Sequence, residues 1–238
     1  MIGALFVLLA TLAFAAGPFL VPNFGGFSPD LFPVPQIQPP IQPAGWAFAI
    51  WGLIYLWLLV SAVFGLWVRA RNEDWFGMRP ALILSMALGA AWLPFAQANP
   101  LLAAVMIWAM LLTALGALFR APKDDRLMAS WPIGLYAGWL SAASCVATGI
   151  CLAGYGILDE VLAAQAMIAF GIVLAAGVQL KLGRSPTYGM AVIWALSAIY
   201  VVNDGQHGDV AALAVVGVIT LAALTCFAAV KDLRPKDI

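Results

Sequence analysis

The chain has 238 residues, of which 64% are hydrophobic and 9% charged, and its formal net charge is zero. A water-soluble fold of this size needs nearer to about 25% charged residues to cover its surface, so a soluble globular domain is excluded. No basic stripe exists outside short loops, and nucleic acid is not an expected partner. The chain reads as all-α, a polytopic transmembrane helix bundle.

Apolar stretches of crossing length, about 20 residues each, fall at 3–22, 44–68, 80–96, 100–119, 130–153, 161–180, 186–202 and 210–230, eight spans in all. None contains a charged residue, and Pro22, Pro43, Pro80, Pro100, Pro132 and Pro186 punctuate their ends. All eleven Lys and Arg fall into four clusters: Arg69/Arg71/Arg79, Arg120/Lys123/Arg126, Lys181/Arg184 and Lys231/Arg234/Lys236. These clusters alternate with connections that carry no positive charge. Cytoplasmic loops hold the Lys/Arg excess, so both ends of the chain are expected in the cytoplasm. The first stretch has Ala-rich candidate cleavage sites near 13–16 but no Lys or Arg before it. A signal peptide begins with a positive region, so residues 1–22 are expected to stay as a span.

The first outer loop, 23–42, contains five prolines and three glutamines. Such sequence is stiff and extended. Its aromatics Phe24, Phe27 and Phe32 are expected either to fold back over the bundle or to lie on the membrane surface.

Polar chemistry is sparse within the spans. The one histidine, His207, lies in the last outer loop, so imidazole ligation of a haem inside the membrane is excluded. Intramembrane charges usually mark proton relays and ion paths, and here there are none. Ser141, Ser144 and Thr148 have no accompanying base and read as packing hydroxyls. Cys145, Cys151 and Cys226 read as small apolar residues, with no disulfide framework and no metal site.

Aromatic residues are abundant, with ten tryptophans. Trp67, Trp75 and Trp131 sit near the expected cytoplasmic ends, where an interfacial belt accounts for them. In PAGWAFAIWGLIY, Trp46, Phe48, Trp51 and Tyr55 form a tight group, with Trp51 and Tyr55 on one helical face. Trp92 and Phe95 flank Pro94, which is expected to kink its helix. Tyr136 and Trp139 share a face that Ala142, Ala143 and Ala147 continue. Aromatics beside small residues make a flat apolar slot suited to a planar ligand, and the competing explanation is ordinary helix and lipid packing.

At these residues the chain resembles the TspO/MBR family, the tryptophan-rich sensory proteins related to the mitochondrial translocator protein. Trp46-Ala-Phe48 and Ile50-Trp51-Gly-Leu-Ile-Tyr55 are similar to the two ends of its W-x-F-G-P-V-W-T-x-L-Y pattern, with one residue fewer between them and no internal proline. LGAAWLPF is similar to L-N-x-x-W-x-P-x-F, with Gly89 in place of the Asn and one residue lost before Phe95. LYAGWLSAASCVA is similar to P-Y-x-x-W-x-x-F-A-x-x-L-N, with Leu135 in place of the Pro and Val146-Ala147 in place of Leu-Asn. The resemblance covers residues 1–153 and implies a five-helix core carrying the outer loop 23–42. Residues 154–238 then hold three further helices and a short tail, as in a long form of the family.

The resemblance implies a pocket for a porphyrin, another tetrapyrrole or a sterol-like lipid; no resident cofactor, no metal and no enzymatic activity are expected. It also implies a dimer; a bacterial inner membrane, the lipid bilayer as surroundings and, alternatively, a larger membrane complex are expected. The residues expected at the ligand are Trp46, Phe48, Trp51, Tyr55, Trp92, Phe95, Tyr136, Trp139 and Ala143. The leading expectation is a sensor or carrier. The alternatives are a non-catalytic accessory subunit and a small-molecule transporter. The absence of intramembrane charge weighs against ion-driven transport and against an enzyme.

Overall fold

The computed structural model describes residues 1–21 and 25–233. Pro22, Asn23, Phe24, Arg234 and Lys236 lie outside the described residues. Among those described there are eight α-helices and no strands: α1 (Ile2–Leu20), α2 (Ile50–Trp67), α3 (Arg79–Ala98), α4 (Pro100–Arg120), α5 (Ser130–Gly154), α6 (Glu160–Leu182), α7 (Thr187–Asn203) and α8 (Gly208–Leu233). Every expected span is a helix. Seven are long and apolar enough to cross a membrane, and α7 is shorter, with 17 residues. At 1.5 Å per residue α7 is about 25 Å long, the lower end of the crossing range. The chain is a multi-pass membrane protein.

Local chemistry sets the boundaries. Pro100 occupies the first turn of α4, where its missing N–H is not needed, and the Asn99 side chain caps that turn by accepting from Leu102 N at 3.0 Å. Asp159 caps α6 by accepting from Val161 N at 2.9 Å. Gly183, at φ 59, ends α6 in the left-handed region that favours glycine. The second span is the one whose start differs. Residues Gly45–Ala49 form a 3-10 turn after Pro43, and α2 begins only at Ile50. Trp46 and Phe48 therefore precede the helix and do not share the face of Trp51 and Tyr55.

The centre of the bundle is α5, which packs against α2, α4, α6 and α7. Gly138 faces the backbone carbonyl of Tyr188 so closely that any Cβ there would overlap it. That glycine lets α5 and α7 meet backbone to backbone, as small residues do in membrane bundles. One buried apolar cluster runs from Val7 in α1 to Leu221 in α8. Residues 1–153 and the three helices after them thus share one interior.

Residues 25–44 do fold back over the bundle. Phe32 and Ile41 are buried, against Gly154 and Gly149 of α5. Val34 N donates to Gly154 O at 2.9 Å, and Asn203 Nδ2 in α7 donates to Pro40 O at 2.7 Å. Trp194 Nε1, also in α7, donates to Ala47 O at 3.0 Å. The Pro-rich segment can be held this way because its carbonyls, unlike its prolines, still accept hydrogen bonds.

The described members of the basic clusters gather at the opposite end. Arg69 makes a two-pronged ion pair with Asp125, at 2.8 and 3.0 Å. Trp75 Nε1 donates to the same carboxylate at 2.8 Å. The Arg69 guanidinium beside it holds the Asp125 carboxyl below the usual aspartate range, and the Trp75 hydrogen bond adds to this. Asp232 in α8 accepts from Trp131 Nε1 and from Ser185 N, both at 3.0 Å, and faces Arg126 at 3.5 Å. Arg184, itself buried, donates to the carbonyls of Leu118 and Ala121 at the end of α4, at 3.0 and 3.1 Å. Of the three tryptophans expected in an interfacial belt, Trp67 is 82% exposed and fits, but Trp75 is 2% exposed. Its indole turns inward, where Asp125 supplies a partly buried acceptor.

Candidate functional site

The site is built on the first turns of α2. Trp51 and Tyr55, four residues apart, stack with ring centroids 5.4 Å apart and planes 16° from parallel. Phe14 of α1 meets both edge-on, at 5.8 and 5.0 Å. It can come this close because α3 presents Gly89 there, where a Cβ would lie 2.5 Å from the Phe14 ring. Trp51 also stands edge-on to Trp139 of α5 at 6.1 Å, and Phe48 stands edge-on to Trp139 at 5.9 Å.

Two chambers open among these rings. The outer chamber, about 350 Å³, is walled by Phe14, Trp51, Tyr55, Trp92 and Leu93. Gly52 and Phe19 lie on its rim and are exposed, so it reaches the outer face of the bundle between α1 and α2. The inner slot is much smaller, about 50 Å³, and is floored by Trp139, Ala142, Ala143 and Ala147. Gly26, Phe27, Gln42 and Pro43 of the Pro-rich segment roof it. Phe48, Trp92 and Ile107 belong to the lining of both chambers and form the partition between them.

No charged side chain lines either chamber among the described residues. Recognition there is limited to apolar contact, ring quadrupoles and a few dipoles. The Trp92 indole is already engaged, donating to Ala103 O at 2.8 Å. The Trp139 indole nitrogen is buried and has no hydrogen-bond partner among the described residues. The hydroxyls behind the slot are satisfied locally: Ser141 Oγ donates to Ala137 O at 2.9 Å, and Thr148 Oγ1 donates to Ser144 O at 2.8 Å.

Of the nine residues expected at the ligand, Phe48, Trp51, Tyr55, Trp92, Trp139 and Ala143 border one chamber or both. The other three stand elsewhere. Trp46 is half exposed and packs edge-on against Trp194 of α7 at 4.9 Å. Phe95 is 42% exposed, one turn beyond Trp92 and turned to the outside. Tyr136 is fully buried below the chambers, with its hydroxyl 2.9 Å from Ser85 Oγ. Sequence reasoning missed Phe14, Gln42 and Ile107, while Phe27, one of the loop aromatics for which folding back over the bundle is one of two expectations, roofs the inner slot. Phe14 sits in an unbroken apolar run, and its one signal is the glycine at position 89 that makes room for its ring.

A profile of the family described as TSPO-like protein matches residues 2–227. The chain belongs to the TSPO-like family. No curated protein and no solved structure matches it. The family match continues well past residue 153 and takes in helices α6 and α7 and most of α8. In this TSPO-like chain α7 also ties down the segment that roofs the inner slot, through Asn203 and Trp194. Of the residues in the motifs that carried the resemblance, Phe48, Trp51, Tyr55, Trp92, Trp139 and Ala143 border the two chambers, and Trp46, Phe95 and Tyr136 do not.

Proposed function

We propose that this TSPO-like chain is a membrane-embedded binding protein, a sensor or carrier and not an enzyme, for a planar hydrophobic ligand of the tetrapyrrole or sterol-like kind. One observation carries the reading: an uncharged chamber of about 350 Å³, walled by Phe14, Trp51, Tyr55 and Trp92, reaches the outer face of the bundle. Ligand pockets for drug-sized molecules begin at roughly 300 Å³ and are mostly apolar with few polar groups. A large ring system would lie partly inside this chamber and partly between α1 and α2, in contact with lipid. The stacked Trp51–Tyr55 pair offers it a flat wall.

The test is a tryptophan-fluorescence titration of the protein in nanodiscs with porphyrins, sterols and carotenoids. A planar member should quench saturably in the wild type and much less in Trp51→Phe. If no member of the panel quenches, the reading fails and an accessory subunit of a larger membrane complex takes its place.

The same reading puts both ends of the chain on the cytoplasmic side of a bacterial inner membrane. The gathering of Arg69, Arg126 and Arg184 at one end of the bundle supports it, because Lys and Arg are retained in cytoplasmic loops. Reporter fusions within 23–42 and after position 236 should report opposite sides, and the same side from both would overturn the orientation.

A further inference from the structure

The three residues that separate the chambers, Phe48, Trp92 and Ile107, are not equally well held. Trp92 stands in α3 and is bonded to Ala103 O. Ile107 is buried within α4. Phe48 alone stands outside regular α-helix, half-buried in the 3-10 turn before α2. The hydrogen-bond geometry of such a turn is poorer than that of an α-helix. On either side of it, Gly45 and Gly52 have open space where a Cβ would stand.

The hold on this turn comes from α7. Trp194 Nε1 donates to Ala47 O at 3.0 Å, and the Trp194 ring packs edge-on against Trp46 at 4.9 Å. One turn further along α7, Ala198 O accepts from Ala44 N at 3.3 Å. Ala47 O also accepts from Ile50 N, the first residue of α2. One carbonyl therefore joins the turn, α2 and α7. The Ala47 oxygen and the Cα of Phe48 belong to the same planar peptide unit, so a hold on the oxygen fixes the plane from which the Phe48 side chain leaves. Beyond that plane the Phe48 ring meets Trp139 edge-on at 5.9 Å.

We infer that Trp194 is a positioning residue for the ligand path: by holding Ala47 O it keeps Phe48 in the partition, and so sets how readily a ligand in the outer chamber reaches the inner slot. The inference rests on the binding reading given above and adds the element that controls it. That element is α7, one of the three helices beyond residue 153. The next residue of α7, Ala195, lines the inner slot itself, so the helix that holds the partition also forms part of the space behind it. Loss of the Trp194 donor does not orphan the Ala47 carbonyl, which keeps Ile50 N. The turn is thereby loosened without a buried polar group being left unpaired, and the fold is expected to survive the change.

The experiment reads passage across the partition with a thiol on the slot floor. Ala143→Cys supplies it, in a full-length chain that also carries Cys226→Ala, because Cys226 is exposed while Cys145 and Cys151 are buried. The protein in nanodiscs is labelled with N-phenylmaleimide, an uncharged, lipid-soluble reagent, and the rate is followed by mass spectrometry. Adding Trp194→Phe, which keeps a ring against Trp46 and removes the donor, should raise the rate about fivefold, the worth of one neutral hydrogen bond. Phe48→Ala should raise it at least as much. Trp194→Phe should add nothing in the Phe48→Ala background, because substitutions that act through one contact are not additive. The same chain with Ala143 retained should stay unlabelled in the presence of Trp194→Phe. An unchanged rate in Trp194→Phe would overturn the inference, as would an acceleration that persists without Phe48. Faster labelling of Cys145 or Cys151 would show general loosening and would also overturn it. The labelling needs no bound ligand, so its failure leaves the planar-ligand reading standing, and an empty fluorescence titration leaves the labelling result standing.

Discussion

At the basic end of the bundle the indoles of Trp75 and Trp131 each meet a carboxylate, while at the loop end the indole of Trp139, as buried as that of Trp75, has no hydrogen-bond partner among the described residues. Trp75 and Trp131 donate to Asp125 and Asp232, and these carboxylates in turn meet Arg69 and Arg126. Trp139 faces alanines and a void. The same residue type is thus a fastener at one end and an open valence at the other. The difference lies in the acceptor: Asp125 and Asp232 stand at the basic end beside Arg69 and Arg126, and no carboxylate lines the apolar slot. Rigidity at one end leaves room for a hollow at the other, because the helices are already held in register by the fastened end and by α5.

The largest effect is expected where the shared frame is tightest. Gly138→Leu would force α5 and α7 apart at the Tyr188 carbonyl, and overpacking of this kind costs about 3 kcal/mol or more. Thermal unfolding in detergent should show little or no folded protein, and both ends of the bundle should fail together. If binding alone were lost while the melting temperature held, α5 would not be the common support.

Asp125→Ala comes next. It leaves the buried Trp75 indole unpaired at about 2 kcal/mol, and ligand affinity should hardly move. The acid limb sharpens this. Arg69 holds the Asp125 pKa below its unfolded value, so the carboxylate's contribution is complete above the ordinary aspartate value of about 4. It fades as pH falls through the lower folded value. The melting temperature of the wild type should therefore drop in that acid range, and the drop should be smaller in Asp125→Ala.

The converse experiment strikes the hollow. Trp139→Ala should weaken a planar ligand by about 2 kcal/mol, roughly thirtyfold. Trp67→Ala, which removes a ring 82% exposed on the outside of the bundle, should leave affinity nearly unchanged. Equal losses would mean that both substitutions act through general destabilisation, and the contrast between the two ends would lose its functional meaning. The smallest effect is expected at Gly52, on the rim of the outer chamber, where an added Cβ meets nothing within 4 Å. Gly52→Ala should shift stability by less than about 0.5 kcal/mol, as read from the same thermal melts.

Much of the fold was legible before any coordinates, because in lipid every spanning segment must satisfy its own backbone and therefore announces itself as an unbroken apolar run. The starts of α3, α4 and α5 lie at Pro80, Pro100 and Pro132, the prolines read as punctuating those spans. That Trp51 and Tyr55 share a face followed from helical spacing, and the structure stacks their rings. The placement of Trp46 and Phe48 did not, because Pro43 shifts the start of α2 and spacing counted along a helix fails in a 3-10 turn. Tyr136 and Trp139 share a face as their spacing requires, but a face is wide enough to touch α3 and Ser85 at one residue and a cavity at the next.

What the sequence determined by itself is what depends on local composition and period: eight helices, the grouping of positive charge, the family, and a concentration of aromatics toward one end. The tertiary structure alone decided which aromatics face one another, that α7 holds the roof of a slot formed largely by α5, and that one indole in seven buried or bonded ones lacks an acceptor. The physical reason is the same in each case. An apolar helix is apolar on every side, so its sequence does not say which side meets a neighbour. That choice is made by close approaches, such as Gly89 against Phe14 and Gly138 against Tyr188, between residues far apart in the chain.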